Sequence, residues 1–229
     1  MLFLGVFQIS VPYGLVFWAE QYISSGLSAI LFATLPFFVV ILAHIIVDEK
    51  LTRMKAAGVI LSFAGLLAIF WRDITAAQNL AAQSSLFGSL AVVGSAASGG
   101  LANVVGKQHA EQIDPAANVL VQALVGTAAL LSLGLVTEWK STLNFTPVAV
   151  VAVLYLGIVG TALPFVGLYW LLKKTTATNV SLITFITPIL ALMLGWLVLQ
   201  EIPDPNGGLG ATLILAGVYL TLKPAHRYI

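Results

Sequence analysis

The residues able to do chemistry are few, and they sit at the margins of apolar runs. Glu20, Asp48, Glu49, Glu138 and Glu201 all fall near the ends of such runs, and none lies at the centre of one. Cysteine is absent, which removes disulfides, thiolate metal sites and cysteine nucleophiles. His44 stands four residues before Asp48, and two ligands are too few for a metal site. A histidine satisfied at an interface is the plainer reading, so neither metal nor cofactor is expected. The serines of "GSAASGG" (94–100) have no histidine at comparable depth to serve as a base, so no enzyme activity is expected.

What remains is hydrogen bonding inside apolar surroundings. Gln8, Ser10, Thr34, Ser62, Asn103, Gln122, Thr161, Thr184 and Thr187 are uncharged polar side chains within apolar runs. Such groups face a bundle interior or a watery cavity. Gln8, Asn103, Thr184 and Thr187, with Thr34, are the candidates for contacting a polar solute. The structural alternative is interhelical bonding, at about 0.6 kcal/mol each. Tyr13, Phe17, Trp18, Tyr169 and Trp170 are candidates for gating or stacking on a solute; an aromatic belt at the membrane interface is the alternative for the tryptophans. Pro12, Pro36, Pro164 and Pro188 interrupt apolar runs. A proline lacks one backbone donor and displaces the carbonyl four residues earlier, here those of Gln8, Phe32, Gly160 and Thr184. The four prolines are therefore candidate helix breaks or hinges, or else simple packing kinks.

The elements that must position these groups are membrane helices. Of 229 residues, 59% are hydrophobic and 8% charged, with mean hydropathy +1.01. A soluble domain carries about 25% charged residues. The net charge of +1, without a basic block, gives no case for a nucleic-acid partner, and none is expected. A spanning helix needs about 20 apolar residues. Eight runs qualify, at 1–19, 26–47, 54–71, 86–107, 116–137, 147–172, 176–200 and 206–222. With eight spans, Lys50, Arg53, Lys55, Lys107, Lys173, Lys174, Lys223 and Arg227 fall on the side of both termini, and only Arg72 and Lys140 on the other. That asymmetry places the termini in the cytoplasm. The expected location is the cell's inner membrane, multi-pass.

The chain also repeats itself. Shifted by 152 positions, Pro12 meets Pro164, Trp18 meets Trp170, Pro36 meets Pro188 and Glu49 meets Glu201. Gly58 meets Gly210, and Gly65 meets Gly217, all without a gap. Leucine matches come cheaply in apolar sequence; matched tryptophan, proline and glutamate do not. Equivalent helices are five apart, an odd number, so they cross the membrane in opposite senses. That is an inverted-topology repeat, the mark of transporters whose two halves rock about a central site. Glu49 and Glu201, at equivalent helix ends, are candidate gate or helix-end contacts.

Trp18 with "SSGLSAILFATLPFFVVILAHIIVDE", and Trp170 with "TTATNVSLITFITPILALMLGWLVLQE", resemble the drug/metabolite transporter superfamily, in particular EamA-like carriers. The resemblance covers nearly the whole chain. It implies an all-α bundle of two inverted five-helix repeats. Here residues 1–71 match the last three helices of one repeat, 72–85 connect on the outside, 86–223 make a complete second repeat, and 224–229 form a cytoplasmic tail. Two helices equivalent to 86–107 and 116–137 are thus expected ahead of the first repeat. The expected function is transport of a small organic metabolite, such as an amino acid, by alternating access, with export as its direction. The expected partners are that solute, the lipid bilayer, and a homodimer or partner helices. The rival readings are a non-transporting remnant or subunit of a larger membrane assembly and, behind it, an intramembrane enzyme.

Overall fold

The computed structural model describes residues 1–23, 25–69, 71, 82–137, 146–199 and 205–222. Among them every element is helical, and they fall into eight segments. α1 runs Leu2–Gly5, Val6–Ser10 and Val11–Ala19, the middle piece a π-turn. α2 comprises Ser25–Phe32 and Leu35–Ile46. α3 is Arg53–Ile69, α4 is Ala82–Gln108 and α5 is Pro115–Thr137. α6 joins Pro147–Gly157, a second π-turn at Ile158–Ala162, and Leu163–Lys174. α7 comprises Ala177–Ser181 and Ile183–Leu199, and α8 is Pro205–Leu222.

Among the described residues, length and composition alone make five stretches able to cross a membrane: Leu2–Ala19, Leu27–Ile46, Leu86–Gln108, Pro115–Thr137 and Pro147–Lys174. α3, the second piece of α7 and α8 are apolar helices of 17, 17 and 18 residues. The outward surface is apolar too. The first piece of α6 has no buried residue, and Val148, Val151, Val153, Leu154 and Leu156 all stand exposed on it. A surface of that kind belongs against lipid.

Local chemistry sets the helix starts. Thr146 precedes Pro147, and its hydroxyl accepts from Ala149 N–H at 3.2 Å. Asp114 precedes Pro115 and accepts from Ala117 N–H at 2.9 Å. Each pair combines an N-cap with a proline at the first helical position, where the missing donor costs nothing. Thr176 caps α7 through Asn179 N–H at 3.2 Å.

The prolines act differently from a simple kink. The two π-turns lie 152 residues apart, each just ahead of a matched proline. In α1 the Val11 N–H reaches back five residues to the Val6 carbonyl. The next carbonyl, Phe7, therefore faces the hydrogen-free nitrogen of Pro12. The Ser98 hydroxyl of α4 donates to that Phe7 carbonyl at 2.8 Å. α6 has the same register shift, with Leu163 N–H bonding to the Ile158 carbonyl, so the Val159 carbonyl faces the hydrogen-free nitrogen of Pro164. Pro36 does not sit mid-helix. α2 breaks at Ala33–Thr34, and Pro36 is buried in the first turn of the new helix, a position that tolerates it. Pro188 lies within the second piece of α7.

α3 and α8, equivalent under the repeat, pack antiparallel and very closely. A Cβ on Gly58 would stand 2.5 Å from the Gly217 carbonyl, and one on Gly65 would stand 2.6 Å from that of Gly210. Adding the repeat shift to Gly58–Gly217 yields Gly210–Gly65, so the contact is its own image. A two-fold axis between α3 and α8 gives that property, and antiparallel partners are what inverted halves require. Ser62 Oγ crosses the seam to the Ile214 carbonyl at 3.3 Å, a step of 152 residues.

Candidate functional site

α1, α2, α4 and α6 converge on a cavity of about 370 Å³. α1 supplies Gln8, Pro12, Tyr13 and Val16; α2 supplies Phe32 and Leu35; α4 supplies Gly99 and Asn103; α6 supplies Phe165 and Leu168. Each polar wall residue owes its place to a local feature. The π-turn carries Gln8, and the small residues of α4 let α1 approach until Ser95 Oγ donates to the Pro12 carbonyl at 3.1 Å. π-turns recur at functional sites because they re-aim one side chain without ending the helix.

Gln8 is 7% exposed and Asn103 5%. The Gln8 Oε1 and Asn103 Oδ1 atoms are both buried without a hydrogen-bond partner. Buried acceptors are almost always paired, and one left unpaired costs about 1–3 kcal/mol. A turn about the last torsion of either side chain would bring its oxygen to the cavity, where a donor would satisfy it. A second hollow, of about 480 Å³, lies on another face of α1, α2 and α4. Ser98 is the polar side chain among its lining residues, and its hydroxyl is already given to Phe7.

The remaining candidates lie elsewhere. Trp18 and Trp170 are 42% and 54% exposed, outside the cavity wall, and Trp18 packs against Tyr22 at 5.0 Å between ring centroids. Tyr169 is buried between α4, α5 and α6, its hydroxyl donating to Gln122 Oε1 at 3.1 Å. Thr34 and Thr187 spend their hydroxyls on their own helices, at Leu31 (2.6 Å) and Ile183 (3.1 Å). Hydroxyl-bearing side chains in helices commonly do this. Thr184 is half-buried on α7, and Pro164 is exposed on α6. Glu201 lies outside the described residues. Val16, Phe32, Leu35, Phe165 and Leu168 of the cavity wall were not singled out as site residues in the sequence, because apolar residues there look alike. Tyr13 and Pro12 were candidates, and Gly99 carried a signal through the small-residue run around it.

Glu49 makes a contact that joins the two copies. Its carboxylate accepts from Ala177 N–H at 2.5 Å, from Thr178 N–H at 3.3 Å and from the Thr178 hydroxyl at 2.7 Å. Lys55 Nζ stands 4.0 Å away. The loop is shaped for this. Asp48 takes a left-handed φ of 53°, which aspartate tolerates better than most residues. Glu49 N–H then reaches the Ala43 carbonyl at 3.0 Å, and His44 Nδ1 lies 3.0 Å from the Glu49 carbonyl. A carboxylate on the first amides of a helix is favoured by the helix dipole. His44 is thereby satisfied inside the loop.

Fold and cavity together define a multi-pass membrane protein with a polar-tipped hollow between two halves. The EamA-like transporter family matches residues 1–71 and 86–223, and the chain belongs to that family. The uncharacterized transporter YoaV of Bacillus subtilis is 32% identical over 207 residues, covering 90% of this chain and 70% of the relative. An uncharacterized transporter of Archaeoglobus fulgidus is 25% identical over 222 residues, covering 96% and 76%. Protein PagO of Salmonella typhimurium is 24% identical over 217 residues, covering 95% and 70%. A solved crystal structure superposes with a TM-score of 0.81 at 18% identity, over 97% of this chain and 76% of the other, and shares its fold.

Proposed function

We propose that this chain moves a small organic solute across the inner membrane by exposing the α1–α2–α4–α6 cavity to one side and then the other. The observation that carries the reading is the pair of buried, unpaired amide oxygens of Gln8 and Asn103 in the wall of a cavity built from both copies. Gln8 and Asn103 bind the solute, and Tyr13 with Phe32 and Phe165 packs its apolar part. Glu49 holds the cytoplasmic ends of α2 and α7 together and lets go when that side opens. Residues 1–71 and 86–223 act as the two rocking bodies, and both termini face the cytoplasm. The chain binds and releases its solute unchanged, without cofactor or metal.

The absence of cysteine makes a clean test. Leu168→Cys puts one thiol in the cavity wall. A small, impermeant methanethiosulfonate reagent should label it in right-side-out vesicles and, separately, in inverted ones. Labelling from neither face would make the cavity a sealed packing void and end the proposal.

A further inference from the structure

Resting on that reading of the cavity, we infer that its solute is a neutral molecule with an apolar or aromatic body and a hydrogen-donating head, such as a primary amide, rather than an amino acid or an organic ion. Among the described residues the cavity wall contains no ionised side chain: its polar groups there are the amides of Gln8 and Asn103 and the phenol of Tyr13. A carboxylate entering there would meet no cation, only the uncharged amides and the phenol. An ammonium would find acceptors but no counter-charge. A zwitterion suffers both defects at once. Desolvated charge without a partner is the costliest thing an apolar cavity can be asked to hold. A neutral N–H or O–H donor removes the unpaired state of Gln8 Oε1 or Asn103 Oδ1 at no electrostatic cost.

The geometry favours adaptable recognition. The last torsion of an amide side chain is broad, so either amide can turn its oxygen or its nitrogen into the cavity. The two amides come from different copies, Gln8 on α1 and Asn103 on α4, so a head group with two donors can bridge the halves. The repeat places Gly160 where α1 has Gln8. The pairing is therefore one-sided, and the solute takes one orientation. The apolar walls of Phe32, Phe165 and Leu168 leave a volume at the small end of the range of ligand cavities.

The test compares four molecules that share a phenyl ring: phenylacetamide, phenylacetate, phenethylammonium and phenylalanine. Each is titrated for its power to protect Leu168→Cys from the thiol reagent, which reports on this cavity alone. Phenylacetamide should protect at a concentration about tenfold or more below each of the others. Asn103→Leu and Gln8→Leu, in the same background, should each weaken that protection about tenfold, a typical return for one good hydrogen bond. Equal or better protection by a charged or zwitterionic member would overturn the solute class and leave the site standing. Labelling that none of the four slows would also overturn the class. A thiol that never reacts would overturn the site itself.

Discussion

Asn103 carries two opposed effects, and leucine, which has nearly its shape, separates them. The Asn103 amide oxygen is buried without a partner, so Asn103→Leu removes a polar group that costs about 1–3 kcal/mol in that state. The variant should be more stable, with a Tm in detergent raised by about 2–4 °C per kcal/mol gained. It should also bind solute less well. A lower Tm would show that Asn103 has a structural partner. Gln122 combines both features: its Oε1 accepts from the buried Tyr169 hydroxyl, while its Nε2 is buried without a partner. Gln122→Leu strands that hydroxyl but also removes the unpaired Nε2, two effects of about 1–3 kcal/mol each and opposite sign, so its Tm should fall below that of Asn103→Leu in the same melting experiment. Sequence alone put Gln8, Asn103 and Gln122 in one class, polar residues in apolar runs. It could not divide them, since the division depends on which partner another helix brings.

At the scale of elements, the matched glycines Gly5 and Gly157 make a controlled pair. Both sit at the same place in the repeat, on α1 and α6. A Cβ on Gly5 would stand 2.8 Å from Val125 Cβ on α5, whereas one on Gly157 would meet nothing within 4 Å. Gly5→Ala should therefore destabilise by forcing α1 and α5 apart. Gly157→Ala should be neutral or stabilising by up to about 1 kcal/mol, the ordinary helix preference for alanine. Equal melting shifts for the two would contradict the close α1–α5 packing. The Glu49 contact gives a second element-scale prediction. Glu49→Ala takes away three hydrogen bonds from the start of α7, so amide exchange over 177–181 should quicken while exchange at the α3–α8 seam stays slow. The helices themselves were legible: the apolar runs at 86–107, 116–137 and 147–172 became Ala82–Gln108, Pro115–Thr137 and Pro147–Lys174. The π-turns were not, because a proline announces a missing donor and says nothing of the register that absorbs it. Nor was the partner of Glu49, which lies 128 residues away in sequence.

For the whole molecule, the basic residues predict that Gln112 and Thr146 lie on opposite sides of the membrane, since α5 runs between them. Both are exposed, so a cysteine at either can be labelled. An impermeant reagent added outside intact cells should reach Thr146→Cys and spare Gln112→Cys; the opposite pattern would invert the topology. At this scale the inverted repeat is expected from matched proline, tryptophan, glutamate and glycine, and α3 and α8 pack as such partners would. The cavity's apolar walls were unreadable, because they belong to four helices drawn from both copies.

The central claim is that the cavity opens alternately, with Glu49 holding one side shut. The most direct measurement is the labelling rate of Leu168→Cys from each face, with Glu49 present and with Glu49→Ala. Releasing the contact should raise the rate from the cytoplasmic face and lower it from the outer face, because one population of molecules is being shifted between two states. Rates that both stay unchanged, or both rise together, would contradict the account.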